Sequence, residues 1–124
     1  MTIKLIVIDD DTAVTDLLSL LLKSQGFEVL ATNNSSDGLN MIREVQPDLV
    51  ILDLMMPEMD GYETTKAIRA SDQPWKNITI IALTADAMVG DKEKCFQAGM
   101  DGYVTKPFKI EEIQEILRAK MLLV

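Results

Sequence analysis

Six residues stand at the ends of strand-like apolar runs and could handle a phosphoryl group or a metal ion: Asp9, Asp10, Asp11, Asp53, Thr84 and Lys106. The three acids close the run Ile3–Ile8, and Asp53 interrupts Leu49–Leu54 near its end. Thr84 closes the run from Ile78, and Lys106-Pro107 follows Tyr103-Val104-Thr105. Taken singly, each has a plain explanation. An isolated Asp10, Asp11 or Thr12 would cap the following helix, Lys106 would be a solvated charge and Thr84 a strand-end hydroxyl. Asp53 is harder to dismiss, because an acid rarely ends a run as apolar as Leu49-Val50-Ile51-Leu52 without a partner. Carboxylates forced together raise one another's pKa unless a cation is present. Oxygen donors without histidine or thiol point to a hard ion, Mg²⁺ or Mn²⁺. One carboxylate could then face an incoming phosphoryl group, with the cation and Lys106 neutralising its oxygens and the Thr84 hydroxyl bonding one of them. The chemistry this suggests is phosphoryl transfer to or from a carboxylate.

Such residues meet only if the chain brings its strand ends together. Strand-length apolar runs alternate with segments of helical period. Thr12–Gln25 carries Val14, Leu17, Leu18, Leu21 and Leu22 on one stripe, with Gly26 as its stop. Phe27–Ala31 reads as a strand, Ser35 or Ser36 as the cap of a helix bearing Leu39, Ile42 and Val45, and Pro47 as its end. The loop Met55–Gly61 leads to a third helix reaching about Ser71, and a loop with Trp75, a partly exposed aromatic, precedes the fourth strand. A fourth helix starts near Asp86 and ends by Gly99, and a fifth runs from Ile110 to about Met121. Five βα units with uninterrupted apolar strands imply a parallel sheet covered on both faces. The chain is too short for an eight-unit barrel, so a doubly wound α/β sheet is expected, and order 2-1-3-4-5 would put the first and third strand ends side by side.

Composition excludes several functions. The 124 residues fit one domain, residues 1–124. A net charge of −8 argues against nucleic acid or an anionic membrane as the main partner. The absence of histidine removes histidine-based catalysis, histidine-ligated zinc and a phosphohistidine carrier role. One cysteine, Cys95, permits no internal disulfide and suits a cytoplasmic setting, and no apolar window is long enough to span a membrane as a helix.

With these motifs in order, the sequence resembles a response-regulator receiver domain, the CheY-like, flavodoxin-like family of two-component signalling. The resemblance runs from Ile3 to about Leu122. It is carried by Val7-Ile8-Asp9-Asp10-Asp11, by Pro47–Pro57 with Asp60-Gly61, by Ala82-Leu83-Thr84-Ala85, and by Ala98–Phe108. It implies that Asp53 is the phosphoacceptor, receiving its phosphoryl group from a phosphohistidine on a histidine kinase or phosphotransfer protein. It implies Mg²⁺ ligated by Asp10 and Asp53, with Asp9 acting through water and the Met55 backbone carbonyl completing the set. Lys106 would pair with the phosphoryl group across a cis bond to Pro107. Thr84 and Tyr103 would form a switch repacking the face of helix four, strand five and helix five, which could contact a downstream target or a second copy. Asp86 would lie where the family tunes phosphate lifetime. The implied protein is a switch that catalyses only its own phosphorylation and dephosphorylation.

The kinase would land near the start of helix one, where Leu17, Leu18, Leu21 and Met88 could serve core or contact, core being the safer reading for most. Met55, Met56 and Met59 read as loop packing. A haloacid-dehalogenase-like phosphatase would need an acid at Met55 and a cap insertion. A flavodoxin-type flavin site would be repelled by Asp9–Asp11. A phosphorylation-independent pseudo-receiver is the remaining alternative. Met1 immediately before the first strand favours a stand-alone regulator over a receiver excised from a hybrid kinase.

Overall fold

A computed structural model describes residues 2–85 and 91–121. The chain alternates β1 (Lys4–Ile8), α1 (Thr12–Ser24), β2 (Glu28–Thr32), α2 (Ser35–Val45), β3 (Leu49–Asp53), α3 (Gly61–Ala70), β4 (Thr79–Thr84), α4 (Asp91–Ala98), β5 (Gly102–Thr105) and α5 (Ile110–Met121). All strand pairs are parallel and the order is β2-β1-β3-β4-β5, the doubly wound arrangement expected. Neighbouring β1 and β3 are in register from Leu5↔Leu49 to Ile8↔Leu52, so their carboxyl ends finish together.

Successive strand residues face opposite sides of the sheet, and both sides are filled. Ile6, Ile8, Val50, Leu52, Ile80 and Ala82 pack with Ile42, Ile68 and Cys95 under α2, α3 and α4. Leu5, Val7, Leu49, Ile51, Ile81 and Leu83 pack with Leu18, Leu22, Ile113 and Leu117 under α1 and α5. Two covered faces explain why the strands read as unbroken apolar runs.

The helix ends follow local chemistry. Asp11 caps α1 by accepting from the Ala13 amide at 2.9 Å, and Gly26, at φ +94°, takes the left-handed conformation after its last turn. The cap of α2 differs from expectation. Asn34, not Ser35 or Ser36, accepts from the Asp37 amide at 2.8 Å, while the Ser35 hydroxyl donates to the Met59 carbonyl. Leu17 also departs from the stripe assigned to it. It is 48% exposed, and Leu20 is 68% exposed, because α1 seats itself through Leu18 and Leu22. The segment before β4, expected as plain loop, contains a 3-10 turn over Pro74–Asn77 with proline at its first position. Trp75 in that turn is half-buried against the α2–α3 side of the core. Arg69 ties the region together, with Nη1 donating to the carbonyls of Lys76 (2.6 Å) and Ile78 (2.7 Å) and Nε to that of Gly99 (2.8 Å). Its Nη2 meets Asp101 at 3.0 Å. Among the described residues no helix is long and apolar enough to cross a membrane. The expectations for Asp86 and Met88 lie outside the described residues.

Candidate functional site

The carboxyl ends of β1, β3, β4 and β5 converge on one acidic pocket. Asp9, the first residue beyond β1, is fully buried. Its amide donates to the Thr32 carbonyl at 3.2 Å, its Oδ1 accepts from the Asp11 amide at 2.9 Å, and its Oδ2 lies 2.7 Å from Lys106 Nζ. Asp53 ends β3 at 2% exposure, its Oδ1 accepting from the Met55 amide at 3.2 Å and lying 3.5 Å from the same lysine. Asp10 is exposed at the rim. One carboxylate oxygen from each of Asp9, Asp10 and Asp53 lies within 4.8 Å of the others. Asp11, the third acid of the run, is outside this group and serves as the α1 cap.

One lysine facing two buried carboxylates leaves an uncompensated negative charge, which is costly away from water. The Asp53 carboxyl shows the consequence. Burial first, then the Asp9 charge, raise it from 3.8 to about 7, against the opposing pull of Lys106 and the Met55 amide. Desolvation pulls the Lys106 ammonium down, but Asp9 and Asp53 together outweigh it and hold the group above its ordinary value. Three clustered oxygen donors with excess negative charge fit a hard divalent cation.

The surrounding backbone is tightly placed. Leu54 N donates to Leu83 O at 2.9 Å and Gly61 N to Leu54 O at 3.1 Å, which folds the Met55–Asp60 loop back over the strand ends. A Cβ on Gly61 would sit 2.6 Å from the Asp53 carbonyl oxygen, so glycine is required for this approach. Asp60 and Glu63 form a reciprocal capping box at the start of α3, which the Asp-x-x-Glu spacing encodes locally. On the loop the Met55 side chain is 71% exposed, whereas Met56 is buried in the core.

Thr84 ends β4 at 2% exposure, and its carbonyl accepts from the Lys106 amide at 2.7 Å. The Lys106–Pro107 bond is cis. Pairing of Ala82 with Tyr103 and of Thr84 with Thr105 puts Thr84 and Tyr103 on the same face of the sheet. The half-buried Tyr103 packs against the cluster containing Cys95 and Met100.

Two residues make contacts that carry no recognisable sequence signal. Asn33 Nδ2 donates to the Asp9 carbonyl at 2.8 Å and to Thr15 Oγ1 at 3.2 Å, and Ser35 Oγ donates to the Met59 carbonyl at 2.8 Å. From the sequence, Ser35 is expected only as a helix cap, and Asn33 has no expected role.

Comparison with known proteins agrees with this arrangement. A family model, the response regulator receiver domain, matches residues 5–118. The chain is 37% identical over 116 residues to the DNA-binding dual master transcriptional regulator RpaA of Synechocystis, covering 94% of this chain and 48% of that protein. It therefore spans about half the length of this and similar curated relatives. It is 32% identical to the polar-differentiation response regulator DivK of Brucella ovis, covering 96% of both. Among solved structures, the receiver domain of sensor histidine kinase PA1611 from Pseudomonas aeruginosa, with a magnesium ion coordinated in its active-site cleft, superposes with a TM-score of 0.88 at 32% identity, covering 99% of this chain and 100% of that one. The chemotaxis protein CheY4 of Vibrio cholerae superposes with a TM-score of 0.90 at 28% identity, covering 97% and 99%. Sequence, topology and pocket lead to one assignment: the chain belongs to the response regulator receiver domain family.

Proposed function

We propose that residues 1–124 form one cytoplasmic receiver domain in which Asp53 accepts a phosphoryl group from a phosphohistidine on a histidine kinase or phosphotransfer protein. The observation that carries this reading is the Asp53 carboxylate itself, nearly removed from water at the end of β3 and facing Lys106 at 3.5 Å. An Asp53 oxygen forms the new bond to phosphorus as the bond from phosphorus to the donor imidazole breaks, its electron pair returning to the ring. Lys106 pairs with a phosphoryl oxygen, and the Thr84 hydroxyl hydrogen-bonds another. Asp10, Asp53 and the Met55 carbonyl would hold Mg²⁺ or Mn²⁺ with Asp9 beside them, and the ion would offset charge on the phosphoryl oxygens. These 124 residues contain no histidine, so the donor histidine lies outside them.

Met55, on the loop just after Asp53, is an exposed apolar side chain, which supports a partner contact beside the pocket. Thr84 and Tyr103 would carry the change to the face of α4, β5 and α5, where a downstream target or a second copy would bind. The relatives named as DNA-binding are about twice the length matched here, and a charge of −8 disfavours direct contact between these residues and nucleic acid.

Incubation with acetyl phosphate and Mg²⁺ should add one acid-stable, base-labile phosphoryl group, detected by intact mass. Labelling that persists in Asp53→Asn would move the acceptor elsewhere. No labelling of the wild type would favour a phosphorylation-independent scaffold.

A further inference from the structure

We propose that the β2–α2 turn is a positioning strut for the acidic pocket, with Asn33 holding the end of β1 and Ser35 holding the loop between Asp53 and α3. The proposal rests on the reading of that pocket as a cation-dependent phosphoacceptor site. Residues 32–35 touch backbone on both of its sides. The Asp9 amide donates to the Thr32 carbonyl, and the Asp9 carbonyl accepts from Asn33 Nδ2 at 2.8 Å, so consecutive residues grip both peptide groups of Asp9. Asn33 is steadied in turn by Thr15, whose hydroxyl donates to Thr12 O at 3.0 Å and accepts from Asn33 at 3.2 Å. Two residues further on, the buried Ser35 hydroxyl donates to Met59 O at 2.8 Å.

Neither bond is needed to start α2, because Asn34 alone supplies the helix cap. Their shared effect is to set the spacing between the acids after β1 and the loop after β3. A divalent cation demands that spacing within narrow limits, and outer partners that orient ligands commonly change metal affinity by about 10- to 100-fold. Neither residue touches the reacting atoms. Each acts through the backbone that it holds.

The test is calorimetric titration of Mg²⁺ into the full chain for wild type, Asn33→Ala and Ser35→Ala, with urea midpoints and amide spectra recorded in chelator. Asn33 is exposed overall, so its truncation opens no buried cavity. The Mg²⁺ Kd is expected to weaken about tenfold in each variant. The Asp11 amide, which reports the Asp9 carboxylate, should shift in Asn33→Ala without metal. A Kd within about twofold of wild type in either variant, even with a lowered urea midpoint, overturns the strut and leaves an ordinary structural contact. Absence of Mg²⁺ binding by the wild type would instead defeat the phosphoacceptor reading. The strut would then stand or fall on the Asp11 amide, and an unmoved resonance in Asn33→Ala overturns it.

Discussion

Burial and the Asp9 carboxylate push the Asp53 carboxyl up to about 7, while Lys106 and the Met55 amide pull the other way. The stability consequence has a definite sign. The folded chain holds this proton more tightly than the unfolded one, so the contribution is full below pH 3.8 and is lost as pH rises towards 7. Metal-free Asp53→Asn lacks that loss, so its stability advantage over wild type should grow across this window, by at most about 4 kcal/mol at about 1.4 kcal/mol per unit. Urea denaturation at a series of pH values measures it, and a constant difference between the two proteins would refute the assignment. At Gly61 the reason is steric. Gly61→Ala places a methyl group against the Asp53 carbonyl and Leu54 Cα, which should cost roughly 1–3 kcal/mol and slow labelling by acetyl phosphate.

Between elements, Arg69 joins the end of α3 to the 3-10 turn and to the turn between α4 and β5. Arg69→Ala leaves three carbonyls and the Asp101 carboxylate without this donor, and should destabilise the fold by roughly 2 kcal/mol, read as a lower urea midpoint with an unchanged slope. Asp101 also accepts from the Ile80 amide at 2.8 Å, so β4 and β5 are clamped at their amino-terminal ends, opposite the pocket. Change on phosphorylation should therefore concentrate at the carboxyl ends of these strands. The Tyr103 ring resonance is expected to shift in the phosphorylated protein, and an unchanged ring would remove Tyr103 from the switch.

For the molecule as a whole, acidic residues outnumber basic ones 20 to 12, yet the excess is not uniform. Most of it is solvated, while Asp9 and Asp53 are buried at one end of the sheet. A cation that binds there and not to the unfolded chain stabilises by mass action, about 1.4 kcal/mol at ten times its Kd. Mg²⁺ should raise the urea midpoint accordingly. NaCl of equal ionic strength, which only screens exposed charges, should not reproduce the effect, and Asp10→Asn should weaken it.

The layered α/β fold and the placement of Asp9, Asp53 and Thr84 at strand ends were legible in the sequence. Both depend on periodicity: apolar runs of strand length impose a sheet buried on two faces, and an acid, a hydroxyl or a lysine at the end of such a run has few other places to go. Gly26 and Pro47 were equally legible, since glycine permits a left-handed turn and proline fixes its own φ, both local effects. The tertiary structure alone decided which acid does what. Asp9, Asp10 and Asp11 are adjacent and chemically alike. Only the packing of β1 between β2 and β3 buries the first, leaves the second at the rim and turns the third into a helix cap. The same holds for Leu17, whose exposure depends on which side of α1 meets the sheet, and for Asn33 and Ser35. Their bonds join residues 24 positions apart in the chain, and no local pattern encodes a hydrogen bond that exists only after the strands have aligned.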